Sequence, residues 1–183
     1  MHTARLLRPS LWATVATLAA LAACSTPTPR GAAPAAVPAT LQPAAPEKAA
    51  FTWSAVGTQN YECKADGKGG WAWTFIAPEA DLFNAKKEKV GIHGAGPFWA
   101  APDGSSITGT VKARSPAPRS ADIPWLLVAA TSAGKPGKMH TVSSVQRIAT
   151  QGGVAPEKGC TAAAAGQMLK QPYTAHYVFF SMV

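Results

Sequence analysis

Carboxylates, histidines and cysteines are all scarce in this 183-residue chain. Asp and Glu number 9 against 17 Lys and Arg, with 4 His and 3 Cys. Glycosidases usually need two carboxylates flanking the scissile bond, so a short supply of acids disfavours that chemistry. His93, His140 and His176 have no close spacing, and neither Cys63 nor Cys160 has a partner at metal-ligand spacing. A metal centre would need separate loops to converge, and none is expected. No Gly-x-Ser-x-Gly elbow is present for a nucleophilic serine. The basic residues are scattered, with Lys86-Lys87-Glu88-Lys89 the only cluster, and no basic run is interleaved with aromatics. Nucleic acid is therefore not an expected partner.

The N-terminus carries an export pattern. Arg5 and Arg8 precede an apolar run at 11–21, too short to span a bilayer. The run ends in Leu21-Ala22-Ala23-Cys24, which resembles the lipobox of bacterial lipoproteins. The resemblance implies a leader over 1–23, lipidation of Cys24 and a membrane partner through that anchor. The alternative is an ordinary secreted protein with a chance cysteine at the cut. Ser25 in place of Asp implies, by likeness to Gram-negative sorting, the outer membrane. Loss of the leader removes Arg5 and Arg8 and lowers the net charge from +8 to +6.

Residues 24–50 are rich in Ala and Pro and have no aromatic residue or hydrophobic periodicity. Such a segment buries too little apolar surface to offset its ordering entropy, so a disordered tether is expected. Residues 51–183 then form one domain. With Cys24 lipidated, Cys63 and Cys160 remain, and in an oxidising compartment they are expected to pair. Closing a loop of about 97 residues would stabilise the fold by about 4–5 kcal/mol in the chain-entropy model.

The domain reads as mainly β, an antiparallel sandwich or barrel with long loops and at most short helices. Ile107, Gly109, Val111 and Ala113 alternate with polar residues, the pattern of a half-buried strand. Trp71, Trp73, Phe75 and Ala77 line one face of another. The apolar run 123–130 suits a buried strand with Pro124 at its start, and 173–183 carries apolar groups on both faces. Further strands are expected over 52–64 and 142–150. Cys160 to Gly166 suggests one short helix, and Pro78 to Phe83 a single helical turn.

The densest chemistry lies in "GIHGAGPFWAAPDGS", residues 91–105. A dinucleotide loop needs Gly-x-Gly-x-x-Gly before a helix. Here Trp99 stands where the third glycine belongs and no helical pattern follows. His93, Asp103 and Ser105 supply triad residue types, but Ala101-Pro102-Asp103-Gly104 is fully explained as a hairpin turn. His93 lies between Gly91 and Gly94, with Pro97 and Trp99 as candidate pocket walls. Trp99, Trp125 and Tyr173 are candidate sugar-stacking surfaces. Arg147, if inward, needs a carboxylate partner or an anion.

An ordered series of motifs runs through the domain: Tyr61-x-Cys63, Trp73-Thr-Phe-x-Ala-Pro-Glu-Ala80, Gly91-x-His93-x-x-Gly96-Pro-x-Trp99, Asp103-Gly-Ser105, Ile123-Pro-Trp-Leu-Leu127, Gln146-Arg147, Thr150-x-Gly152-Gly-x-Ala-Pro156, Cys160 and Pro172-Tyr-x-Ala-x-Tyr177. The series resembles domain-of-unknown-function family 3455, found in secreted bacterial and fungal proteins. The resemblance implies a disulfide between Cys63 and Cys160 and assigns no catalytic residue. Some fungal members carry a malate dehydrogenase label, which the failed glycine fingerprint does not support here. The leading expectation is a non-catalytic envelope lipoprotein that binds a ligand, glycan or envelope partner through His93, Trp99, Trp125, Arg147 and Tyr173, without a cofactor. The alternative is a secreted enzyme acting on carbohydrate or cell-wall polymer, with His93 as acid/base, Asp103 as its partner, and Trp99 and Trp125 as the substrate platform.

Overall fold

The computed structural model describes residues 36–183. The expected leader, Cys24 and the first part of the tether lie outside the described residues. Eight antiparallel strands follow one another up and down: β1 (Lys48–Ala65), β2 (Trp71–Phe83), β3 (Lys89–Gly94), β4 (Phe98–Ala100), β5 (Ser105–Ser115), β6 (Trp125–Gly134), β7 (Val142–Gly152) and β8 (Met168–Ser181). β8 returns to pair with β1 from Lys48↔Ser181 to Glu62↔Met168, which closes a barrel. Closure removes the free sheet edges that an open sheet would expose. Of the two architectures expected, the chain adopts the barrel.

Strand pairing fixes which side chains point inward. Trp53, Ala55 and Gln59 of β1 share the inner face with Ala80 and Leu82 of β2, His93 of β3, Trp99 of β4 and Ile107 of β5. Val128 of β6, Val145 and Arg147 of β7, and Tyr173, Tyr177 and Phe179 of β8 complete it. Most of these are buried in one core cluster. Indole rings need room, and glycine supplies it. A Cβ at Gly109 would lie 2.9 Å from Trp99 Cζ3, and one at Gly91 would lie 3.2 Å from Trp53 Cζ3.

Several bulges reset the alternation, and two of them overturn an expected face. Asn60 pairs with Ala77 but Tyr61 with Phe75, so Ile76 is an extra residue. Trp71, Trp73 and Phe75 share a face as expected, and Ala77 falls on the other. Likewise Val111 pairs with Val128 but Ala113 with Leu127, so Lys112 is extra. Ala113 therefore turns outward, and Arg114, opposite inward Leu126, turns inward.

Local expectations also shift. Residues 78–83 lie within β2 rather than in a helical turn, because they pair with β1 and, from Ala80 on, with β3 as well. The short helix expected at 160–166 is a three-residue 3-10 turn, Ala162–Ala164. β3 and β4, which flank the Gly-Pro bend, are strands too short and glycine-rich to register as alternation. The ordered fold begins before residue 51. Leu41, in the 3-10 turn Ala39–Leu41, is 0 % exposed, and its carbonyl accepts a hydrogen bond from Gln146 Nε2 at 2.6 Å. Gln146 faces outward, opposite Leu127, so this segment straps the outside of the barrel across β5, β6 and β7. The tether expected over 24–50 thus does not reach residue 50 as free chain, because Leu41, Glu47 and the start of β1 are all held against the barrel.

Leu41→Ala should lower the unfolding free energy in urea by about 2–3 kcal/mol. An unchanged midpoint would mean that the strap is not part of the cooperative unit.

Candidate binding site

The connections β1–β2, β3–β4, β5–β6 and β7–β8 gather at one end of the barrel, as up-and-down topology requires. The wall there is uneven. β3 and β4 are six and three residues long, and β2 pairs with β3 only over Ala80–Phe83. The rest of β2 rises above the mouth with Phe75 48 % exposed. Three ties hold the β7–β8 connection against this hairpin. Cys63 and Cys160 form a disulfide, Tyr61 OH donates to Gly153 O at 2.7 Å, and Trp73 Nε1 donates to Lys158 O at 3.2 Å.

The mouth opens into a cavity of about 460 Å³. Its apolar walls are Phe75, Ile76, Pro78, Pro97, Val111, Ile123, Pro124, Leu126 and Val128. Its polar groups are Gln59, Tyr61, His93, Trp99, Arg114, Arg147 and Tyr177. Eight-stranded barrels are just wide enough to be packed solid or to hold one small molecule, and this volume falls in the small-ligand range.

His93 is 4 % exposed, and its Nδ1–H donates to Phe98 O at 2.7 Å. That bond fixes the tautomer and leaves Nε2 with the lone pair. The ring stacks on Trp99 at 4.6 Å between centroids and 16° between planes, and Tyr177 packs against both. Burial pushes the His93 pKa down from 6.5 to about 4, opposed by the bond to Phe98 and reinforced by the positive charge of Arg147. The imidazole is neutral at pH 7. Burial likewise raises the Tyr177 hydroxyl, while Arg147 acts to lower it.

Arg147 points inward, half-buried, and donates from Nε and Nη2 to Pro124 O at 3.2 and 2.8 Å. The carboxylate partner expected of an inward arginine is absent. The ion pairs of the described residues join Lys64 to Glu62, Lys89 to Asp81, Arg119 to Asp122 and Lys170 to Glu79. No acidic side chain lines the cavity. Gln59 is buried, and its Nε2 has no hydrogen-bond partner, nor does Nε1 of Trp99.

The remaining expected site residues lie elsewhere or out of reach. Asp103 sits at the opposite end of the barrel, in the β4–β5 turn. Its carboxylate accepts from Ser105 N, Ser105 Oγ and Lys138 N at 2.9, 2.6 and 2.8 Å. These bonds, led by Lys138 N–H, hold its pKa down at about 2. Ser105 Oγ also accepts from Met139 N at 3.0 Å, so Asp103 and Ser105 latch the β4–β5 turn to the β6–β7 connection. Asp103 therefore does not partner His93. Trp125 faces outward, opposite Ser115, and Tyr173 lies behind Tyr177 with its hydroxyl 3.3 Å away. Trp99 is 1 % exposed. None of the three presents a free face for a sugar ring. Among the described residues no three His, Cys, Asp or Glu side chains come together as a metal site.

Gln59, Arg114, Phe75, Ile76 and Tyr177 were not singled out from the sequence as binding residues. Arg114 had no signal, because simple alternation places it with the outward polar residues and only the bulge at Lys112 reverses that.

Acid should expose the buried imidazole. The folded pKa, about 4, lies below the unfolded value of 6.5. Between these values the unfolded chain binds the proton and the folded chain does not. Stability therefore falls as pH drops from 6.5 towards 4, by about 3 kcal/mol from this residue. Urea midpoints of the native protein measured against His93→Phe should diverge in that window, and the His93 Hε1 resonance should not titrate above pH 5. A ring titrating near 6.5 would contradict this placement.

No curated protein and no solved structure matches the chain. A family model described as a protein of unknown function, DUF3455, matches residues 43–181, from just after Leu41 to the end of β8. By that match, spanning the whole barrel and its mouth, the chain belongs to the DUF3455 family.

Proposed function

We propose that this protein is a non-catalytic, lipid-anchored binding module of the cell envelope, and that the barrel mouth takes up one small molecule. The observation that carries the reading is the open cavity of about 460 Å³ at the mouth, whose wall combines apolar side chains with the hydrogen-bonding groups of Tyr61, Arg114 and Arg147. His93 supports binding over acid/base chemistry. It is neutral, locked to a backbone carbonyl, and has no carboxylate beside it. The Cys63–Cys160 disulfide suits an oxidising compartment, and Cys24 in its lipobox-like setting supplies the anchor to the outer membrane.

The cavity should brighten a neutral apolar dye, N-phenylnaphthylamine, with one site per chain. Val111→Trp, which projects an indole into the mouth, should abolish the signal while the far-ultraviolet spectrum and melting stay native-like. Equal brightening by both proteins would place the dye on the outer surface and remove support for the site.

The anchor is tested apart from the site. Cys24→Ser should move the protein from the membrane fraction to the soluble fraction on cell lysis. Full retention in the membrane would refute lipid anchoring.

A further inference from the structure

The charge balance at the mouth sets the chemistry of what enters. The chain has 9 acidic residues, and most are engaged away from the cavity. Glu62, Glu79, Asp81 and Asp122 hold Lys64, Lys170, Lys89 and Arg119. Asp66, Glu88 and Asp103 bond within turns, and Glu47 bonds Ser143. The two arginines at the mouth, Arg147 and Arg114, have no acid among the cavity walls.

A half-buried guanidinium without a counter-ion is costly unless an anion completes it. Arg147 is held by the Pro124 carbonyl through Nε and Nη2, and its guanidinium lies beside the Tyr177 hydroxyl. Hydrogens on Nη1 and Nη2 remain beyond those the Pro124 carbonyl takes, on a planar group that matches the two oxygens of an oxyanion. The carbonyl bonds orient the fork before any ligand arrives. Arg114 is brought to the same wall by the bulge at Lys112. Across from the arginines stand Phe75 and Ile76, exposed apolar side chains on the tall β2 wall.

Resting on the mouth being a binding site, we propose that its ligand is an amphipathic oxyanion: an apolar body seated between the β2 wall and Pro97, with one carboxylate-like head on Arg147 and Arg114. Neutral His93 and the Gln59 amide stand deeper in the cavity wall. They add no charge that would oppose the head.

A matched pair of probes tests this. Anilinonaphthalene sulfonate carries the ring skeleton of N-phenylnaphthylamine plus one sulfonate. The sulfonate should bind the native protein at least about tenfold more tightly than the neutral dye, given the usual strength of charge-assisted hydrogen bonds. Arg147→Gln should erase that preference and leave neutral-dye binding within about twofold. Arg114→Gln, which breaks none of the ion pairs of the described residues, should reduce the preference partly. Lys86→Gln with Lys87→Gln, at the far end of the barrel, should leave it intact, which separates a local anion site from attraction by the net positive charge. Equal binding of the two dyes, or a preference that survives Arg147→Gln and Arg114→Gln together, would overturn the oxyanion assignment and leave the cavity as a neutral site. Failure of both dyes to bind would remove the site itself.

Discussion

The pairing of β1 with β8 is the contact on which the rest of the structure depends. Without it the meander would be an open sheet with two long edges. With it, every strand has two neighbours, and the inner face becomes a fixed set of positions. A small closed barrel leaves little choice over what fills that face. At the Asp103 end the filling is tight: Phe51, Trp53 and Phe179 interlock at ring separations of 4.7–5.2 Å. At the other end β3 and β4 stop short, and the same inner face becomes a cavity wall. One ring of strands therefore gives a packed plug and an open cup without any change of topology.

The bulges matter because alternation is strict. A one-residue insertion moves every later side chain of that strand to the opposite face. At Lys112 this exchanges Ala113 for Arg114 on the inner side, just where β5 reaches the mouth. At Ile76 it brings Phe75 inward and leaves Ile76 at the rim. Both irregularities fall at the level of the cavity, and both change its lining.

These features explain what the sequence disclosed and what it did not. The β class, the strands at 107–113, 123–130 and 173–183, and the Pro-Asp-Gly turn are local patterns, and local patterns are readable. The apolar run at 123–130 was readable as buried on both faces because the interior takes Leu126 and Val128 while the Leu41 strap crosses outside. Arg114 was hidden, since a bulge leaves no mark in residue types. The docking of Leu41 was hidden for a related reason: its partner, Gln146, lies 105 residues away, and no periodicity links them. His93, Trp99 and Arg147 were found as candidates one at a time, but their convergence, and the separation of Asp103, are properties of strand order.

The residues that carry the family resemblance separate by physical role once they are placed. Asp103, Gly104 and Ser105 are explained by the turn they close, and Cys63 and Cys160 by their covalent tie. Gly91 is explained by the close approach of the Ala100 carbonyl, with Trp53 beside it. Each has a structural task that its neighbours require of it. Arg147 differs. Its bonds to the Pro124 carbonyl need a donor, not a charge, and a neutral amide could satisfy that carbonyl with a smaller desolvation cost. Beyond that carbonyl and the nearby Tyr177 hydroxyl, no acid of the cavity wall calls for a guanidinium at this position. On the proposed reading the reason lies in what the open end of the barrel meets, since an arginine that faces a cavity without an acid is complementary to an anion from outside the chain.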